Sequence, residues 1–210
     1  MRKKLILIGA GGHAKSVIDS IDEDEMELLG FIDEYKAGTH FGYTIFGRNF
    51  DDVPDYMECH YFVSIGDARM RKMWYERILK EGLKTVNIID KTAIISKSAK
   101  IGTANYIGKL AVINADSVIG NNNIINTKAL VEHECKIGNH THMSTNSIIN
   151  GNVVVDDGVF FGSCAMTAAS VYLGKYSVIG AGGVVVRDIP AGATAVGVPA
   201  KVIKINEKID

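Results

Sequence analysis

The stretch "VIGNNNIINTKALVEHECKIGNHTHMSTNSIING", residues 118–151, places an apolar residue at every sixth position. The same phase runs from residue 95 to residue 185, where fifteen of the sixteen positions are apolar and only Thr167 departs. A helix would need an apolar period of about 3.6, and an amphipathic strand a period of about two. A six-residue period instead indicates a short strand followed by a corner, repeated along the chain. The sequence therefore predicts a solenoid in which each coil pairs with its neighbours.

Each six-residue unit also contains a small residue and a turn former. The small side chain mostly stands two positions before the apolar residue. Gly or Asn mostly stands directly after it, as at Gly108, Asn114 and Gly120. Gly and Asn suit tight backbone conformations. We therefore expect the branched and small side chains to point inward and the Gly or Asn residues to form the corners.

The [Ile/Val]-Gly-x-x-[small]-x units resemble those of the hexapeptide-repeat acyltransferases. The resemblance implies a left-handed parallel β-helix in which three units make one triangular coil, so that sixteen units give about five coils. We assign this domain, with its C-terminal loop, to residues 91–210. A solenoid that serves only as a scaffold or binding surface is the alternative.

Residues 1–90 have a different pattern, in which apolar runs alternate with helical stretches. The predicted bounds are 4–8, 28–33, 61–67 and 84–90 for strands, and about 12–21 and 68–82 for helices. Such alternation indicates a small parallel α/β sheet. The predicted fold class is therefore an α/β N-terminal Rossmann-like small domain followed by a left-handed parallel β-helix.

A glycine turn follows the first predicted strand. Residues 9–14, "GAGGHA", match the pattern G-x-G-x-x-[G/A], and Asp33 lies 22 residues past Gly11. These are features of a dinucleotide-binding turn, so an NAD-binding module is one alternative. Ninety residues, however, supply only about half of a full dinucleotide domain. Backbone N–H groups at a helix N-terminus bind the diphosphate of any nucleotide, so a UDP moiety is at least as well supported as NAD.

Composition excludes several classes of function. A formal net charge of -1 over 210 residues gives no electrostatic reason to expect nucleic acid or an anionic membrane as a partner. No stretch approaches the roughly 18 apolar residues of a membrane span. Three widely spaced cysteines do not form a disulfide framework and fit a reducing compartment. We expect a cytoplasmic protein.

Three histidines, His133, His140 and His142, stand within ten residues of one another. Metal ligation is not predicted, because a regular coil sends their side chains to different sides. His140 lies three residues past an inward position, where we expect a solvated turn residue. Cys135 occupies a small inward position, where we expect a packed thiol rather than a nucleophile.

His133 differs from the other two because of the residues stacked above it. Positions 18 apart stack in successive coils, at a rise of about 4.8 Å. The column through His133 reads Ala115, His133, Gly151, Ala169, Arg187. Small residues over the two coils beyond His133 leave a trough that suits an extended pantetheine arm. His133 is the predicted general base, Glu134 is predicted to orient it, and Glu132 is the rival for that role.

The whole chain is similar to nucleotide-sugar acyltransferases of the sialic acid O-acetyltransferase type. It resembles most the bacterial UDP-4-amino-sugar N-acetyltransferases of bacillosamine-type pathways. The matching pieces are "IGAGGHA", "GFID", "SIGDARMRK", "VNIIDKTAIIS", "VINADSVIG", "INTKALVEHECKIG" and "GVPAKVI". The resemblance implies acetyl-CoA as co-substrate and a homotrimer with active sites between subunits. His142, half a coil from His133, would then act from the neighbouring subunit.

The resemblance also implies two sets of binding residues. Those implied for the nucleotide sugar are Ala10, Gly11, Gly12, His13, Asp33, Glu34 and Gly66. Those implied for acetyl-CoA are His142, Gly151, Ser163, Ala169, Gly180, Ala181 and Lys201. Asp67 stands where an amide-like residue is expected.

The predicted function is acetyl-CoA-dependent N-acetylation of the 4-amino group of a UDP-4-amino-6-deoxy sugar, for bacterial glycan or glycoprotein biosynthesis. Transfer would be direct, without a covalent acyl-enzyme, because both reactants can be held together. One alternative is O-acetylation of sialic acid or a related sugar. The other is a non-catalytic nucleotide-binding scaffold.

Overall fold

The computed structural model describes residues 2–206, so Met1 and residues 207–210, the outer ends of the two predicted domains, lie outside the described residues. The N-terminal domain is built around one sheet. Its strands are β1 (Lys3–Ile8), β2 (Met26–Ile32), β3 (Gly38–His40), β4 (Tyr43–Gly47), β5 (His60–Val63) and β6 (Lys84–Thr85). Its helices are α1 (Gly12–Ile18) and α2 (Ala68–Lys80), with 3₁₀ helices at Phe50–Asp52 and Tyr56–Glu58. The strand order is β3-β4-β2-β1-β5-β6.

The sheet is parallel except for β3, which pairs antiparallel with β4. The β3–β4 hairpin was not predicted, and α1 ends at Ile18 rather than near residue 21. The single strand predicted at 84–90 is wrong, because β6 pairs with β5 whereas Ile88–Ile89 pairs with Tyr106–Ile107 of the second domain. Asn87 separates the two pieces, and its side chain is engaged by Gly102 O and the N–H of Asn105.

The second domain is a left-handed β-helix with three faces. Face 1 consists of β7 (Ile88–Ile89), β10 (Tyr106–Ile107), β13 (Ile124–Ile125), β16 (His142–Met143), β19 (Phe160–Phe161), β22 (Val178–Ile179), β24 (Ala193–Val196) and β25 (Lys201–Ile205). Face 2 consists of β8 (Ile94–Ile95), β11 (Val112–Ile113), β14 (Leu130–Val131), β17 (Ile148–Ile149), β20 (Met166–Thr167) and β23 (Val184–Val185). Face 3 consists of β9 (Lys100–Ile101), β12 (Val118–Ile119), β15 (Lys136–Ile137), β18 (Val154–Val155) and β21 (Tyr172–Leu173).

The predicted register of 18 residues per coil is confirmed. Val112 pairs with Leu130, Leu130 with Ile148, and Val118 with Lys136. The second residue of nearly every short strand is buried in one apolar core that runs up the centre of the coils. The six-residue period therefore determines both the fold class and the inward-facing side of the chain.

The corners are formed differently from the prediction. The left-handed conformation falls on every sixth residue from Ala104 to Gly182, with φ between 53° and 69°. These residues stand three positions past the inward residue, whereas the Gly and Asn residues directly after it have no positive φ. At the position directly after the inward residue, glycine is needed because a larger side chain would collide with the next coil. A Cβ on Gly120 would lie 2.5 Å from Gly138 O, and one on Gly162 would lie 2.6 Å from Ala181 N.

The N-terminal domain packs against face 1. Outward side chains of this face, Ile88, Tyr106 and Ile124, are buried in the same cluster as Leu7 and Phe62. Faces 2 and 3 carry exposed apolar side chains instead, among them Ile94 on face 2 at 64%. Among residues 2–206, no helix is long and apolar enough to cross a membrane.

Candidate active site

A cavity of about 340 Å³ opens where β1, β2 and β5 end in the N-terminal domain. The carboxyl ends of parallel strands are the usual ligand site of such sheets. Six of the seven residues predicted for the nucleotide sugar line it: Gly11, Gly12, His13, Asp33, Glu34 and Gly66. Sequence reasoning missed several other lining residues: Tyr35, Ser64, Ile65, Met70 and Trp74.

Ala10, the seventh predicted residue, is buried and acts through its backbone. Its N–H donates to Asp33 Oδ2 at 2.7 Å, and the N–H groups of Tyr35 and Lys36 both donate to Asp33 Oδ1 at 2.9 Å. Burial would raise the pKa of Asp33, but these hydrogen bonds outweigh it and hold the pKa below its usual value. Asp33 thus fixes the glycine turn, and both of its oxygens are already engaged.

His13 lines this cavity, and His142 lies behind it against Gly66. His142 Nδ1 is 3.3 Å from Gly66 O, and its ring meets the Phe160 ring edge-on at 5.1 Å between centroids. Burial, reinforced by Arg71, lowers the pKa of His142 to about 4. The His13 ring lies 5.0 Å from that of Tyr106, and burial lowers the pKa of His13 to about 3. Both imidazoles are therefore neutral near pH 7.

His140 corrects a prediction. It is 8% exposed rather than solvated, because the N-terminal domain covers its corner of the β-helix. Its Nδ1 contacts Asn122 Nδ2 at 2.7 Å, and its ring lies 5.7 Å from that of Tyr75. Burial, followed by the Arg71 charge, lowers the pKa of His140 to about 4.

His133 has the opposite setting. It follows face 2, its side chain is 58% exposed, and its Nδ1 lies 3.0 Å from Glu134 Oε2. Glu132 turns away and accepts a hydrogen bond from Asn114 Nδ2 at 3.0 Å. Of the two candidate acids, Glu134 is therefore the one in contact with the ring. Because a carboxylate accepts only, Nδ1 carries the proton and Nε2 is left as a base.

The column above His133 is stacked as its 18-residue spacing indicates. Asn152 N donates to His133 O at 2.9 Å, and Ser170 N donates to Gly151 O at 3.0 Å. A Cβ on Gly151 would lie 2.7 Å from His133 Nε2. Only glycine leaves that nitrogen free on this side.

The residues predicted for acetyl-CoA lie along two edges of the triangle. Gly151 and the exposed Ala169 share the edge of His133, after face 2. Ser163 and Ala181 stack along the edge after face 1, where Gly182 N donates to Ser163 O at 2.9 Å. Gly180 belongs to this second edge, directly before Ala181. Lys201 is exposed on β25, and His142 projects from face 1 itself. A single subunit does not bring these two groups together.

Neighbouring residues explain the breaks in the sequence pattern. Cys135 is buried, its thiol lies 3.1 Å from Asn150 O, and burial raises its pKa, as suits a packed thiol. Thr167 is buried, and its Oγ1 accepts the N–H of Asn150 at 2.9 Å. Phe160 packs on His142, and Phe161 fills the core.

Among the described residues, no cluster of three His, Cys, Asp or Glu side chains could hold a metal ion.

Known proteins share this fold. The family described as the PglD N-terminal domain matches residues 4–78. PerB from Caulobacter crescentus, solved in complex with CoA and GDP-perosamine, is 34% identical, with a TM-score of 0.91 over 96% of this chain and 97% of that chain. The acetyltransferase domain of PglB from Neisseria gonorrhoeae, solved with acetyl coenzyme A, is 30% identical, with a TM-score of 0.90 over 97% of this chain and 100% of that chain.

Curated relatives match over shorter stretches. A 2,3,4,5-tetrahydropyridine-2,6-dicarboxylate N-acetyltransferase of Clostridium perfringens is 46% identical over 56 residues, which are 26% of this chain and 24% of that protein. The chain spans about a quarter or less of the curated relatives that it matches. The full-length likeness to PerB shows the family. The chain belongs to the hexapeptide-repeat acetyltransferases that act on nucleotide amino sugars.

Proposed function

We propose that this protein transfers the acetyl group of acetyl-CoA to the 4-amino group of a UDP-4-amino-6-deoxy sugar, with His133 as general base. The observation that carries the proposal is the His133–Glu134 pair, whose Nδ1 to Oε2 distance is 3.0 Å. A carboxylate at Nδ1 makes Nε2 the basic nitrogen. The missing side chain of Gly151 leaves that nitrogen open to a reactant.

The chemistry needs one proton transfer and one exchange of bonds. The sugar amine attacks the thioester carbonyl, and His133 Nε2 takes a proton from the amine as the C–N bond forms. The C–S bond then breaks, and the CoA thiolate leaves and takes up a proton. Glu134 stabilises the imidazolium that forms in between. The small residues Gly151 and Ala169 leave room for an extended arm along the coils beyond His133.

The nucleotide sugar would bind in the N-terminal cavity, with its diphosphate on the backbone of the glycine turn. Gly11 and Gly12 stand at the start of α1 and line this cavity, and the free N–H groups at a helix start suit a phosphate. Bound in one subunit, the sugar lies beside that subunit's His142 rather than its His133, which supports catalysis across subunits.

A homotrimer would bring the two edges together. The outward residues of face 2 are apolar from end to end: Ile94, Val112, Leu130, Ile148, Met166 and Val184. The corresponding row on face 3 is interrupted by Lys100 and Lys136. Ile94 and Met166 are exposed and the other four are half-buried, and an uninterrupted apolar row that water still reaches is typical of an interaction surface. His133 stands at the edge of face 2, so a second copy docked there would cover the base and bring its own His142 toward it.

The identity of the nucleotide has a second candidate. PerB, whose structure contains GDP-perosamine, matches this chain over almost its full length, which favours a GDP-linked amino sugar as the rival substrate. Both candidates use the same base and the same acetyl donor. They differ only in the nucleotide that occupies the N-terminal cavity.

A ligand panel tests the proposal. The protein is heated with acetyl-CoA, UDP- and GDP-linked 4-amino sugars, CMP-sialic acid and NAD, each at about 100 times its expected Kd. A true ligand then adds about 2.7 kcal/mol of stability. We expect stabilisation by acetyl-CoA and by one amino sugar, and transfer of acetyl to that sugar by mass spectrometry. Stabilisation by CMP-sialic acid alone supports O-acetylation, and no effect of acetyl-CoA supports a non-catalytic scaffold.

A further inference from the structure

One arginine joins the N-terminal domain to the β-helix. Arg71 on α2 is 1% exposed. Its guanidinium donates to five backbone carbonyls: from Nη1 to Ile65 O at 3.2 Å and Gly66 O at 2.8 Å, from Nε to Asn122 O at 3.0 Å, and from Nη2 to His140 O at 2.8 Å and Thr141 O at 3.1 Å. Two of these carbonyls belong to the cavity loop and three to one corner of the β-helix. Arg71 therefore fixes the position of the loop on the β-helix.

This arginine is unusual because carbonyls alone satisfy it. Within the part of the chain that the structure describes, no carboxylate lies within ion-pair distance of its guanidinium. Burial lowers the pKa of Arg71 to about 10, so it remains a cation at neutral pH. A buried, unpaired cation is costly for a protein to keep. Such a cost suggests a role beyond joining two domains.

The Gly66 carbonyl links Arg71 to His142. It accepts from Arg71 Nη1 at 2.8 Å and lies 3.3 Å from His142 Nδ1. A carbonyl oxygen can only accept, so Nδ1 of His142 carries the proton and Nε2 has a free lone pair. Arg71 also places a positive charge near the ring, which disfavours a second proton there. Among the described residues, His13 on α1 also acts on His142, and His13 is itself neutral near pH 7.

We propose that Arg71 is a positioning residue that holds the cavity loop on the β-helix and acts through Gly66 O to keep His142 as the uncharged Nδ1–H tautomer. Gly66 lines the cavity in which the nucleotide sugar would bind, so loss of the guanidinium contacts displaces this loop and weakens binding of the sugar. The amine of the sugar must be uncharged to attack, and a neutral His142 behind the cavity loop does not protonate it. The sugar's part in this inference rests on the proposed function.

The test combines histidine spectroscopy with kinetics. Long-range ¹H–¹⁵N spectra of the ligand-free wild type should show His142 as the Nδ1–H tautomer. In Arg71→Met the pKa of His142 should rise by about one unit or more, because a nearby cation has gone. Arg71→Lys keeps the charge but cannot bind five carbonyls. It should raise KM for the amino sugar about tenfold and lower kcat several-fold, with KM for acetyl-CoA within about twofold of wild type.

Arg2→Lys is the matched control. The Arg2 side chain is 49% exposed, pairs with Glu27 at 3.3 Å and contacts no residue of the cavity lining. It should change neither the His142 titration nor the kinetic constants. An Nε2–H tautomer of His142 in the wild type would overturn the proposal, whether or not Arg71→Met folds. So would an Arg71→Lys enzyme with an unchanged sugar KM. The spectra need no turnover, so they decide the role of Arg71 even if no panel sugar is acetylated.

Discussion

Histidines occur in two contrasting regions of this protein. The open edge, His133 with Glu134, has side chains 58% and 65% exposed. The closed junction contains His13, His140 and His142 around Arg71, and burial holds all three imidazoles neutral near pH 7. The same residue type is thus exposed and paired with a carboxylate in one place, and buried and neutral in the other.

The difference shows what each region lacks. The open edge contains a carboxylate-paired histidine, but that pair is exposed to water. The closed junction excludes water and adjoins a cavity, but within residues 2–206 none of its three histidines is paired with a carboxylate. Electrostatic help is strongest where water is excluded. An active site built from both regions therefore needs a second subunit to bring them together.

Removal of the base should have the largest effect. His133→Ala should lower kcat by about two to four orders of magnitude, because general-base help acts in the transition state. Affinity for acetyl-CoA should stay near wild type, since the proposed transfer of a proton to His133 acts in the transition state and not in binding of the cofactor. Steady-state kinetics and calorimetry measure the two quantities. A variant within threefold of wild-type kcat would show that the open edge is not the catalytic region.

Separation of the subunits should be nearly as damaging. Ile148→Glu puts a charge in the middle of face 2 and should convert trimers into monomers, with activity down by roughly two orders of magnitude as the two regions separate. Light scattering and kinetics at one protein concentration test this. Val154→Glu on face 3, where the native side chain is 37% exposed, is the control and should remain trimeric. A monomeric, fully active Ile148→Glu enzyme would refute the shared site.

The two neighbouring acids should differ. Glu134→Gln removes the carboxylate at His133 Nδ1 and should lower kcat about tenfold, a modest loss because this pair is exposed to solvent. Glu132→Gln keeps a side chain that can accept from Asn114 and should stay within about twofold of wild type. Equal losses in the two variants would mean that the observed contact of Glu134 is not the one used in catalysis.

The fold was predictable because its signal is periodic. One phase held over ninety residues determines the coil, the register and the inward side, and the column Ala115–His133–Gly151 follows directly from it. The position of the left-handed residue was not predictable. Leu110, Lys128 and Tyr176 take φ near 55°, although none of these residue types favours it. The coil geometry imposes that conformation through hydrogen bonds to the coils on either side.

The candidate site was predictable only where sequence spacing places residues together. The glycine turn and Asp33 follow from a local pattern, and His133 follows from the repeat. His140 was misjudged because its burial comes from α2 of the other domain. Arg71 was missed for the same reason, since it lies about 50 residues from the first corner carbonyl that it binds. "SIGDARMRK" contains the arginine, but nothing in the sequence shows its partners.

The closed junction should make the protein sensitive to mild acid. The folded pKa of His140 is about 4, below the usual 6.5, so stability is full above pH 6.5 and falls as the pH drops toward 4. The slope is at most about 1.4 kcal/mol per pH unit for one histidine. His140→Asn removes the titrating group, and Asn tolerates the φ of 58° at this position. Urea titrations between pH 7 and pH 5 should give a shallower slope for the variant, and identical slopes would mean that His140 is not buried.

The smallest effect concerns the one polar residue in the inward row. Thr167 Oγ1 accepts the N–H of Asn150, and Thr167 O accepts from Asn150 Nδ2, so a side chain replaces the regular backbone bond beside Gly151. Thr167→Val keeps the shape but leaves a buried N–H without its acceptor, which should cost about 1–3 kcal/mol in urea unfolding. Thr167→Ser keeps the hydroxyl and should lose about 0.8 kcal/mol, the value of one methyl group. If Val is tolerated as well as Ser, the backbone at Asn150 has returned to the regular ladder. The coil above His133 would then not depend on Thr167.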